Sequence, residues 1–180
     1  MSQDSGFTLL DEVPGIVSFG AHENINIFVW TGAATEAITD RMARIVARQV
    51  AAESRGLSTI HVMTMLARPP TPEARAGFAA VAKRWQDTIV SVSLVFEREG
   101  FWGSAMRSAI TGVMLLLPKG RYPLKVHRSI HEAAAWLPEQ HAARSGVKIA
   151  SSTLLAVITG LRTRALEQAR QVSADVSQTA

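Results

Sequence analysis

A chain of 180 residues, 47% of them hydrophobic, has enough apolar material for one well-buried core, which excludes wholesale disorder. With no cysteine, it has no disulfide, no thiolate catalysis and no cysteine-ligated zinc or iron–sulfur centre, and its composition fits a reducing cytoplasm. The formal charge of +4 is uneven: residues 1–118 carry 10 basic and 11 acidic side chains, residues 119–180 carry 9 and 4, an excess that favours acidic partners only mildly.

In chain order, residues 1–13 read as a flexible arm. Acids stand where a secretory signal would carry basic residues. "GIVSFGA" (15–21) and "INIFVWTG" (25–32) are two short strands, with "HEN" a tight turn in which Asn24 tolerates left-handed backbone. Apolar residues on both faces of the second strand predict cover on both sides. Ile38, Met42, Ile45, Val46 and Val50 form one stripe of a helix over 35–53, capped by Gly56. "LSTIHVMTML" (57–66) is a strand, stopped by Pro69 and Pro70. Thr71 then caps a helix that has Pro72 at its first position and Glu73 in its first turn, and that runs to Trp85.

"IVSVSLVFE" (89–97) alternates as a strand. The most apolar stretch, residues 101–117, falls short of the about 20 residues a spanning helix needs and carries Arg107, so it is predicted as a buried core helix and not a membrane segment. "RYPLKVH" (121–127) is the last strand. Ser129 followed by Glu132 is a capping box that opens a helix with Ile130, Ala133, Ala134 and Leu137 on its buried side, and Pro138 predicts its end at Leu137. The domain spans 14–137. Residues 138–147 read as a linker, 148–170 as an amphipathic helix and 171–180 as a frayed tail.

The element order β-β-α-β-α-β-α-β-α predicts an α/β domain with a mostly parallel or mixed five-stranded sheet. This order, with the closing "YPLKVHRSIHEAAAWL", resembles the STAS domain, shared by bacterial anti-sigma-factor antagonists and sulfate-transporter tails, over roughly residues 13–137. The resemblance implies a regulatory module acting through a protein partner. Antagonist STAS domains carry a phosphoacceptor Ser or Thr in an Asp-Ser/Thr-x-Gly setting after the third strand. Here that junction reads "ARPPTPEARAG"; Thr71 is its only hydroxyl, and the Asp and Gly are absent.

Catalytic signals are thin. His127 and His131 are four apart, but Ser129 starts a helix between them, so both read as surface or capping residues and not metal ligands. His61, inside an apolar strand, reads as a buried, hydrogen-bonded histidine. Asp11 with Glu12, and Glu97 with Glu99, read as solvated edge charges. There is no nucleophile elbow, P-loop or dinucleotide fingerprint, and no cofactor is expected. Scattered basic residues argue against nucleic acid.

The expected function is therefore a non-catalytic, cytoplasmic adaptor or regulatory module. Its candidate surface is Thr71, Phe101 and Trp102 at strand ends, with Leu154, Ile158 and Leu161 on the final helix. That helix packs on its own domain, or pairs with another subunit as a homo-oligomer through residues 148–170, or, last in order, meets a different protein partner. The alternative is a domain binding a small apolar, lipid-like ligand in a pocket lined by Trp30, Trp102, Met106 and Met114. An enzyme of unrecognised type ranks third.

Overall fold

The computed structural model describes residues 6–97, Ser108, Thr111 and residues 122–178. Six strands form one sheet in sequence order: β1 Thr8–Val13, β2 Val17–His22, β3 Ile25–Trp30, β4 Leu57–Met63, β5 Ile89–Phe96 and β6 Leu124–His127. Strands β1 to β3 form an antiparallel meander, and β3 to β6 run parallel. Helices α1 (Glu36–Ala52) and α2 (Pro72–Arg84) follow β3 and β4. Helices α3 (Ile130–Ser145) and α4 (Ser151–Gln178) follow β6. The mixed α/β class and the extra C-terminal helix are those expected. Apart from Ser108 and Thr111, which are helical, the helix expected over 101–117 lies outside the described residues, and Phe101, Trp102, Met106 and Met114 with it.

The sheet gains a sixth strand from the expected arm. Thr8–Val13 pairs with β2 and is held by distant charges: Asp11 forms a two-pronged ion pair with Arg41 of α1, one prong at 2.7 Å. Glu12 accepts from Ser18 at 2.8 Å and from Arg164 of α4 at 3.1 Å. Side-chain alternation divides the core into two layers. On one face Phe19, Phe28, Trp30, Met63, Val92 and Leu94 meet Met42, Ile45 and Val46 of α1, with Phe78 and Val81 of α2 partly buried against them. On the other, Ile25, Ile27, Val29, Ile60, Val62 and Val95 meet Leu137 of α3 and Leu154, Ile158 and Leu161 of α4. Strand β3 is buried along its whole length, as its two apolar faces require.

Three boundaries depart from the sequence reading. In the β2–β3 turn Glu23 has positive φ (50°), not Asn24, whose side chain is committed to donating to the Gly56 carbonyl at 2.7 Å. Helix α3 runs through Pro138 to Ser145 and stops at Gly146, which adopts the left-handed C-cap at φ 74°. The expected linker is thus largely helix. Buried Leu137 and His141 on either side of the proline supply tertiary anchoring that offsets the missing backbone hydrogen bond. Helix α4 continues to Gln178, through most of the expected frayed tail.

Leu154, Ile158 and Leu161 are each 0% exposed, so they form part of the chain's own core and not the partner surface expected of them. The stripe packs in cis because β3 presents the apolar side chains Ile25, Ile27 and Val29, and β2 beside it presents the small residue Gly20. At Gly20 a Cβ would come within 2.7 Å of Leu161 Cδ2, so the absence of a side chain there admits the helix. Arg162 completes the clasp on Glu97, at the end of β5, with a two-pronged ion pair whose second bond is 2.8 Å.

Candidate functional site

Between the sheet and helices α1 and α2 lies a cavity of about 130 Å³. Its floor comes from the strands, with Phe28, Thr59, His61, Met63, Val92, Leu94 and Leu124. Met42 and Val46 of α1 and Phe78, Val81 and Ala82 of α2 roof it. Gly32, Ala34, Ala67, Arg68 and Pro70 line the end where β3 and β4 finish. The cavity thus reaches the carboxyl ends of parallel strands, where α/β sheets place their sites. That end is laced together: Ala33 bridges Arg68, Arg68 N–H donates to the Gly32 carbonyl at 3.3 Å, and Thr71 N–H to the Ala34 carbonyl at 3.0 Å.

The lining is overwhelmingly apolar, and two polar groups stand out. His61 sits opposite Phe28 across the β3–β4 pairing, with ring centroids 4.7 Å apart. Its Nδ1 accepts a 3.4 Å hydrogen bond from the Trp30 indole N–H, and the two rings lie within 4° of parallel. Burial pushes its pKa from 6.5 down to about 4, so the ring is neutral at pH 7. Tyr122, just before β6, brings a buried hydroxyl that has no hydrogen-bond partner among the described residues. Burial raises its pKa, so this phenol stays protonated.

The other expected site residues fall elsewhere. The Thr71 hydroxyl accepts from Ala74 N–H at 3.2 Å, the ordinary duty of an N-cap. His127, expected at the surface or in the capping region, is 2% exposed, because α3 lies over that face of β6 and brings the Trp136 ring to 5.3 Å. Trp30 lines the cavity as the ligand reading expects. Just before the lining loop residues, Met65 and Leu66 are exposed, at 62% and 47%.

Sequence reasoning passed over one buried polar chain on the opposite face. Asn24 Nδ2 donates to the Gly56 carbonyl, so Asn24 Oδ1 is free to accept from His141 Nε2 at 2.7 Å. His141 Nδ1 then accepts from the Ser58 hydroxyl at 2.7 Å, and Ser58 accepts from Ser91 at 2.5 Å. All four side chains are at most 1% exposed. Ser58 and His141 stand 83 positions apart, so no local pattern announces the pair. Sealed at the strand starts, the chain ties α3 to the sheet.

The architecture has a solved counterpart. It is similar to the crystal structure of an uncharacterized protein of the DUF3478 family from Shewanella loihica PV-4, described as having a SpoIIAA-like fold. The TM-score is 0.50 at 12% sequence identity, and the match covers 72% of this chain and 99% of that one. This chain has a SpoIIAA-like, STAS-like fold. No protein-family model matches it, and no curated protein does. No helix among the described residues is long and apolar enough to cross a membrane.

Proposed function

We propose that this chain is a non-catalytic regulatory module of the cytoplasm whose SpoIIAA-like domain binds one small, largely apolar molecule between the sheet and helices α1 and α2. The observation that carries this reading is the cavity itself. Its volume of about 130 Å³ is close to the about 150 Å³ in which an apolar protein cavity takes up benzene. Met42, Phe28, Val92 and Leu94 give such a molecule dispersion contacts that water cannot replace.

Titrating benzene into the ¹⁵N-labelled chain tests it. The amides of Phe28, His61, Val92 and Leu94 are expected to shift in a saturable manner, and Val92→Phe, which fills the space, is expected to abolish the shifts. Absence of any saturable change in the wild-type chain refutes the reading.

A second reading, binding of a protein partner, draws on exposed Met65 and Leu66 at the β4–α2 junction beside Thr71. Large apolar side chains at the end of a strand, next to the lining residues Ala67 and Arg68, offer a contact surface that ligand occupancy could alter. Met65→Asp is expected to abolish capture of that partner while leaving benzene binding intact.

A further inference from the structure

We infer that the cavity selects a small cyclic carbonyl compound, its ring among Phe28, Val92 and Leu94 and its oxygen accepting a hydrogen bond from His61 Nε2–H. This rests on the cavity being a ligand site, and it adds the ligand's chemical class.

The argument begins with Trp30. An indole N–H donates and never accepts, so the bond from Trp30 Nε1 requires the lone pair of His61 at Nδ1. In a neutral imidazole the single proton is then on Nε2. The near-parallel rings let the in-plane lone pair meet the N–H, so the neighbouring side chain sets both the tautomer and the ring orientation. Nε2–H has no hydrogen-bond partner among the described residues, although His61 lines an apolar cavity.

A histidine donor on a lining that is otherwise built by side chains such as Phe28, Leu94 and Met63 favours a guest that brings an acceptor. A carbonyl oxygen has two lone pairs and no proton to satisfy, so it suits donors better than an alcohol or amine would. The volume leaves room for about one six-membered ring with its oxygen.

The test compares cyclohexanone with methylenecyclohexane, a hydrocarbon of nearly the same shape in which =CH₂ replaces the oxygen. Both are titrated into the full-length wild-type chain and into His61→Phe. The ratio of the two affinities is expected to shift about tenfold toward the hydrocarbon in His61→Phe, as loss of one hydrogen bond implies. Should His61→Phe fail to fold, the wild-type imidazole resonances decide. Cyclohexanone is expected to move the His61 Nε2 proton, and methylenecyclohexane is not.

An unchanged affinity ratio, equal displacement of that proton by both molecules, or an Nδ1–H tautomer in the free protein overturns the carbonyl assignment while the cavity reading stands. If neither molecule binds the wild-type chain, and benzene also fails, both readings fall.

Discussion

Three histidines packed into the fold, two of them buried, show how position sets chemistry. His61, His127 and His141 all have lowered pKa values, with desolvation the leading cause in each. The unfolded chain takes up these protons near pH 6.5, whereas the folded chain resists them until lower pH, near 4 for His61. Stability is therefore complete above about pH 7 and falls as the pH drops below 6.5. For His61 alone the loss is on the order of 3 kcal/mol by pH 4. Urea midpoints at pH 7.5, 6.5 and 5.5, where most carboxylates remain ionised, are expected to decline steadily; a flat profile refutes the burial of these rings. His141→Ala breaks the polar chain, leaving Asn24 and Ser58 without their partner in a dry interior, and is expected to cost about 3 kcal/mol or more in urea unfolding. Glu23, at positive φ, makes the opposite case. Glu23→Gly removes the Cβ that disfavours this backbone and is expected to add roughly 0.5–1 kcal/mol, read as a higher urea midpoint.

Among the elements, α3 carries the clearest conflict between local preference and tertiary demand. Ser129 caps it as the sequence indicates, accepting from Glu132 N–H at 3.2 Å, and Glu132 reaches back to Arg128 N–H at 2.9 Å. Pro138 then sits eight residues past Ile130, inside the helix, where it can offer no N–H to the Ala134 carbonyl. The helix continues because ending it at Leu137 would withdraw His141 from Asn24 and Ser58, and Ser145 from the His141 carbonyl. Pro138→Ala restores the missing donor. It is expected to raise stability by about 1 kcal/mol or more, seen as an upward Tm shift of roughly 2–4 °C per kcal/mol in calorimetry.

At the scale of the whole molecule, the sheet has two covered faces with different jobs. The face under α3 and α4 is tightly filled: Ile25, Ile27, Ile60, Leu154, Ile158 and Leu161 are all at 0% exposure. The face under α1 and α2 retains the cavity on which the proposed ligand reading rests. Helix α4 is consequently part of the domain. Removing residues 148–180 uncovers Ile25, Ile27 and Val29, each buried side chain contributing roughly 1.5–3 kcal/mol. Light scattering and thermal melts of that shortened chain are expected to show lost stability and aggregation; a stable folded monomer would refute the role given to α4.

Local rules account for the features that the residues announce on their own. Alternation in 25–30 and 89–96, the Ile38–Met42–Ile45 stripe, the Thr71 and Ser129 caps and the apolar stripe of the last helix suffice for the class and element order, because period and capping are written within a few residues. The remaining features depend on partners far apart in the chain. Thr8–Val13 became a strand through Arg41 and Arg164, and helix α3 crossed Pro138 through Asn24 and Ser58. Leu154, Ile158 and Leu161 turned inward because β2 and β3 offered them a face. The candidate site has the same origin. His61 was legible as a histidine inside an apolar strand, but its bond from the Trp30 indole joins residues 31 positions apart, and the cavity before it is a gap between layers that no single segment encodes.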